Sequence, residues 1–137
     1  MSIESGIYTI LEAVPAIATA VGTRIYPVVL PQGSALPAIT YSLASAERFP
    51  THNGPSGCPA TRYQITYWAE THAAAIAGSV LVRKALDGVI GAWGDTTVGQ
   101  CDLVNERDVF SVIPETSVLN AFGRQLDFLV MFEEAIT

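Results

Sequence analysis

Two histidines and two cysteines are the residues of this chain best suited to hold a soft metal or to act through a thiolate. His52 and Cys58 share one short stretch, while His72 and Cys101 stand far along the chain. Zinc sites use ligands in closely spaced pairs, and no C-x-x-C or H-x-x-x-H pair occurs. A thiol nucleophile needs a histidine beside it and a third group to orient that histidine. Only His52 lies near Cys58, in FPTHNGPSGCP, residues 49–59, whose three prolines and two glycines give no rigid frame. The plainer reading is an exposed loop histidine and a partly buried cysteine. Glu133, Glu134 and Asp127 suggest paired acid–base work, but adjacent strand residues point to opposite faces, so they read as solvating charges. Gly88, Gly91 and Gly94 follow a helical pattern rather than a strand and cannot set a phosphate on a helix N-terminus. Ser34, Ser56 and Ser111 lack a G-x-S-x-G context. The sequence predicts no catalytic site, no metal and no cofactor.

The elements around these residues are clearest between Arg62 and Gly88. Tyr63, Ile65, Tyr67 and Ala69 alternate with Arg62, Gln64, Thr66 and Trp68, the period of a half-buried strand. Thr71 is a suitable N-cap, and the period then changes. Ala74, Ala75, Gly78, Leu81, Val82, Ala85 and Leu86 share one helical face, with Arg83, Lys84 and Asp87 opposite, and Asp87-Gly88 ends the helix.

Before this unit, Ile3, Ile7, Ile10, Leu11, Val14, Ile17, Ala18 and Val21 repeat at helical spacing. Pro15 interrupts them, which predicts either a kink near Val14 or a second short helix with Pro15 in its first turn. Arg24–Pro27 reads as a short extended piece, residues 30–37 as a loop, and Ala38–Ala46 as a strand. Residues 49–59 read as a long mobile loop without regular structure. Beyond the central helix, GVIGAWGDTT reads as a glycine-rich connection, Val98–Glu106 as a strand, Phe110–Pro114 as a loop or strand end, and Arg124–Glu134 as the closing strand. This order predicts an α+β fold: an antiparallel sheet of about four or five strands with two main helices packed on one face, formed by residues 1–137 as one domain.

Half of the residues are hydrophobic and 15% are charged. Either some apolar surface is buried between subunits, or the core is simply rich in alanine. The net charge is −6, from 7 basic and 13 acidic residues, and no basic run exists, which argues against a surface that grips phosphates. The N-terminus lacks the positive segment and cleavage pattern of a secretory leader, and no apolar run approaches the ~20 residues of a membrane helix. Two cysteines are too few for a disulfide framework, so synthesis in a cytosol is expected. Tyr63, Tyr67 and Trp68 lack the positive neighbours of a base-stacking platform and read as core or subunit contacts. Ile76 and Val80 lie on the outward helix face with His72, Arg83 and Lys84, which suggests either a partner surface or cover by a loop.

The succession VGTRIYP (21–27), PQGSALPAITYSLAS (31–45), RYQITYWAET (62–71), an alanine-rich helix ending KALDG (84–88), and RQLDFLVMFEE (124–134) resembles the tail-completion, or tail-terminator, family of long-tailed bacteriophages and gene-transfer particles. The resemblance implies a structural virion protein, made in the host cytoplasm and placed at the head–tail junction. It implies a ring of copies of the chain, commonly a hexamer, on the head-proximal end of the tail tube. Such a ring stops tube polymerisation and meets the head connector, with the tube protein and the connector as partners and DNA only as transiting cargo. A head-closure or neck adaptor protein is the alternative in the same class; a small ligand-binding or enzyme domain is the alternative outside it.

Two surface expectations follow. The 49–59 stretch, with Phe49, His52 and Cys58, touches a neighbouring subunit or tail protein, as do Ile76 and Val80. If DNA passes through the ring, some of Asp95, Asp102, Glu106, Asp108, Asp127, Glu133 and Glu134 face the lumen, where negative charge repels phosphates over a Debye length of ~8 Å at physiological salt.

Overall fold

A computed structural model of the chain describes residues 3–22, 24–28, 37–47, 50–51, 54–55, 60–93, 96–112 and 120–132. The helical repeat at the N-terminus forms two helices, α1 (Ile3–Ala13) and α2 (Pro15–Val21). Val14 between them is extended, with φ −83° and ψ 116°, and Pro15 occupies the first turn of α2. Proline has no N–H and clashes with the carbonyl one turn back, so the ladder of α1 cannot run through it. Gly22, at φ 59°, closes α2 by donating its N–H to the Ala18 carbonyl at 2.9 Å.

The strands are β1 (Ile25–Pro27), β2 (Ala38–Glu47), β3 (Pro50–Thr51), β4 (Gly54–Pro55), β5 (Ala60–Ala69), β6 (Gly91–Trp93), β7 (Thr96–Val112) and β8 (Asn120–Phe132), with helix α3 (His72–Leu86) after β5. One sheet holds six of them in the order β1-β2-β5-β8-β7-β6. β1 runs parallel to β2 and every other pairing is antiparallel. This overturns the expected antiparallel sheet of four or five strands with two main helices: the sheet is mixed, has six strands, and carries three helices. In this parallel edge β1 lies alongside Ile39–Tyr41 of β2. Ile39 N–H then bonds the Arg24 carbonyl at 2.9 Å, and Val28 N–H bonds the Tyr41 carbonyl at 2.7 Å. The short extended piece expected at Arg24–Pro27 is β1, whereas β6 falls in the stretch read as a glycine-rich connection, since three residues are too few to display a period.

Two further expectations are corrected. β7 continues to Val112, six residues past Glu106, and it takes in Phe110. Within 49–59, Pro50 pairs with Pro55 and Thr51 with Gly54 as a small two-stranded ribbon, so that stretch is not without regular structure.

The core lies between the helices and one face of the sheet. Ile7 and Leu11 of α1, Ile17 and Val21 of α2, and Val82 and Leu86 of α3 meet Ile39, Tyr63, Ile65, Leu126, Phe128 and Trp93, all buried. The register sets these in rows across the sheet, such as Tyr41–Ile65–Leu126. Each such side chain contributes about 1.5–3 kcal/mol on leaving water. Thr71 caps α3, its side-chain oxygen accepting from Ala74 N–H at 3.2 Å. The C-terminal end of α3 is tied to β7: Gly88 N–H donates to the Cys101 carbonyl at 2.7 Å, and Leu103 N–H donates to Asp87 Oδ1 at 3.0 Å.

The opposite face of the sheet is polar. The register places Thr40 and Ser42 beside Thr66 and Gln64, these beside Gln125 and Asp127, and these beside Arg107 and Asn105. Trp68 Nε1 donates to Thr40 Oγ1 at 3.0 Å across that face, and Arg107 Nε donates to Gln125 Oε1 at 3.3 Å.

Candidate functional site

Of the surface candidates, Phe49, His52, Cys58, Asp95, Glu133 and Glu134 lie outside the described residues or carry no described side chain. On α3, Ile76 is exposed and Val80 half-buried, one turn apart. The four remaining carboxylates do not share a surface. Asp102 and Asp127 fall on the polar face opposite Leu129 and Gln64, whereas Glu106 and Asp108 stand opposite Leu126 and Arg124 on the helix side.

Their charges are also differently engaged. Asp127 is 3% exposed, and its Oδ2 accepts from Arg62 Nη2 at 3.1 Å. Its Oδ1 has no protein partner among the described residues. A carboxylate so enclosed cannot act as a free wall charge, which removes Asp127 from the lumen set. Asp108 is flanked by two bases: His72 Nε2 lies 3.2 Å from its Oδ2, and Arg124 Nε lies 2.8 Å from its Oδ1. The Arg124 N–H is not aimed along that short line, so this contact is ionic rather than a hydrogen bond. The hydrogen bond from His72, helped by the charge of Arg124, holds the Asp108 carboxyl below its ordinary range. Asp102 Oδ2 accepts from Gln100 Nε2 at 2.6 Å. Glu106 is exposed.

Cys101 is buried against the end of α3, and burial, with Asp102 and Asp87 nearby, pushes its thiol up to about 12. A thiol held protonated at neutral pH is a poor nucleophile and a poor metal ligand. A hollow of about 200 Å³ is lined by Pro37, Tyr67, Ala69, Glu70, Thr71 and Ala74, with Glu70 its one ionisable carboxylate. Among the described residues no three His, Cys, Asp or Glu side chains gather as a metal cluster, and no helix is long and apolar enough to cross a membrane.

No motif in the sequence marks the sheet edges. β6 pairs with β7 only over Thr96–Val98, and the end of α3 bonds Cys101 and Leu103. From Val104 to Val112 no described residue pairs with the outer edge of β7. At the other side, β1 covers Ile39–Tyr41, and no described residue pairs with the outer edge of β2 from Ser42 to Glu47. Leu43, Ala44, Ser45 and Ala46 are all exposed, as are Val104 to Asp108. Such edges are templates for another strand.

Over residues 5–118 the sequence matches the family model described as tail completion protein gp17. The chain belongs to this family. It is a structural protein of a phage-type tail, and its place is the virion tail. The fold is similar to that of a chain in the virion of a native gene transfer agent particle, with a TM-score of 0.69 and 19% identity over 96% of this chain and 95% of that one. No curated protein sequence matches the chain.

Proposed function

We propose that copies of this tail completion protein form a ring, six in the family reading, on the head-proximal end of the tail tube. The ring ends tube polymerisation and joins the tail to the head connector. One observation carries the reading: the family match spans residues 5–118, most of the chain. The similar fold in a gene transfer agent virion supports it. The partners are then other copies of the chain, the tube protein and the connector, with DNA as cargo. Phe49, His52 and Cys58 of the 49–59 stretch, and Ile76 and Val80 of α3, face those neighbours. The net charge of −6 suits a conduit that DNA crosses without being gripped, with Asp102, on the polar face of the sheet, as a wall carboxylate.

The test is electron microscopy of particles assembled without this protein and after its restoration. Tubes of uncontrolled length that lack heads, corrected on restoration, are the expected result. Tubes of normal length that merely fail to join heads would indicate a neck adaptor instead. Normal, infective particles without the protein would overturn both.

A further inference from the structure

The two edges that no described residue pairs belong to one sheet and lie at opposite sides of it. Stepping through the register, β2 is antiparallel to β5, β5 to β8, and β8 to β7, so β7 runs opposite to β2. Rotation of a copy about an axis broadly along the strands leaves strand directions unchanged. The β7 edge of one copy therefore meets the β2 edge of the next in antiparallel sense. Contact between two different surfaces of identical chains repeats head to tail and closes into a ring when the rotation allows.

The heights of the two edges decide whether closure is possible. Within one copy, Ile39 stands level with Asp108 through Tyr67 and Arg124, and Tyr41 with Glu106 through Ile65 and Leu126. Pairing at that level is blocked, because β1 occupies β2 from Ile39 to Tyr41, and the end of α3 occupies β7 at Cys101 and Leu103. To bring Ser42–Glu47 against Val104–Val112, the next copy must shift along the strands by about 4–7 residues, or ~13–23 Å at ~3.3 Å per residue. The repeat of β2, β5, β8 and β7 is ~19 Å wide at ~4.8 Å per strand. Shift over width corresponds to a strand tilt of ~35–50°, and closed barrels require about 35–45°. The side chains fit as well: Ser42, Ala44, Ser45 and Ala46 are small, whereas Glu106, Arg107 and Asp108 are long or charged.

We infer that the seam between copies is an antiparallel pairing of Val104–Val112 of one chain with Ser42–Glu47 of the next, which makes the sheets one continuous wall. This rests on the ring reading above and names its interface. Glu106, Arg107 and Asp108, together with the register shifts at Leu43/Ser45 and Leu103/Asn105, then guard the edges of a lone copy against indiscriminate pairing.

The experiment uses the full chain with Cys58→Ser, adding Ser45→Cys together with Glu106→Cys, Arg107→Cys, Asp108→Cys or Val109→Cys, one pair for each allowed register. Directly opposed residues sit within disulfide reach. Each protein is oxidised both free at high concentration and on assembled tails, and its size is followed by light scattering. One register is expected to give a cross-linked ladder that ends at the ring number, while its two single-cysteine parents, mixed, give dimers only. Independently, Glu106→Pro and Arg107→Pro remove adjacent N–H groups, one of which points outward; that variant keeps its melting temperature and loses the oligomer. An oligomer of ring size with no ladder in any register, retained in both proline variants, overturns the seam and leaves the ring standing. A chain that stays monomeric in solution and on tails overturns the ring and the seam with it.

Discussion

Gly78 of α3 lies against the ring of Tyr67 on β5, so closely that a β-carbon at position 78 would overlap the Cδ1–Cε1–Cζ edge of that ring. The helix can sit this low on the sheet because a side chain is missing at one position. Tyr67 is 4% exposed and cannot swing into solvent without opening the core. Gly78→Ala gains about 1 kcal/mol of helix propensity, but overpacking a closed site costs about 1–3 kcal/mol. We expect a net loss of stability and a lower melting temperature, measured by circular dichroism. A variant as stable as the parent would show that α3 rises off the sheet freely.

The Arg62–Asp127 pair predicts an asymmetry. The Arg62 side chain is 42% exposed and that of Asp127 only 5%. Arg62→Ala leaves a buried carboxylate without its cation and should cost about 3 kcal/mol. Asp127→Ala frees an arginine that can turn to water and should cost about 1 kcal/mol. Chemical denaturation of the two variants checks the order; equal losses would mean that packing rather than charge decides at this site.

Asp108 predicts a pH dependence. Its folded-state carboxyl is held low, first by the His72 hydrogen bond and then by Arg124. A depressed carboxylate contributes stability above its unfolded pKa and loses that contribution as the pH falls through its folded value. Asp108→Asn should therefore lower the melting temperature at pH 7, and the difference from the parent should vanish under strong acid. A difference that stays constant down to pH 2 would place the effect outside this ion pair.

The wall reading predicts a salt-dependent defect. Asp102→Lys should leave tails assembled but slow DNA ejection, more at low than at high salt, because each added cation that meets phosphate releases counterions. Ejection rates measured across salt concentrations decide it. Unchanged rates would separate the acidic balance from DNA passage.

The central unit was legible because its periods are long and clean. Tyr63, Ile65, Tyr67 and Ala69 are all buried, and Thr71 caps the helix that follows. The same holds for Leu126, Phe128 and Val130. Pro15 announced a break and left its form open; the structure contains the second helix. What stayed hidden is what a period cannot carry. Gly91–Trp93 is only three residues long, and the extended piece at Arg24–Pro27 carries no sign in its own pattern of the partner or the parallel direction of its pairing. The carboxylates of β7 fall on two faces because the register shift after Leu103 adds a residue and reverses the alternation between Asp102 and Glu106. The exposed edges are a property of the assembled sheet, absent from any single stretch of sequence.

The position of β8 sets the timing of folding. It is the last of the described strands in the chain, yet it lies in the middle of the sheet, between β5 and β7. The bond from Thr61 to the Val130 carbonyl spans 69 residues. Such distant closure is slow, since the intervening chain must be ordered before the contact rewards it. A nascent chain that has made β5, α3 and β7 still has no strand to join them. The relative height of the β2 and β7 edges is undefined until β8 enters. Truncated products therefore lack the geometry that the proposed seam demands, and only chains whose synthesis has reached this strand present both edges at their fixed heights.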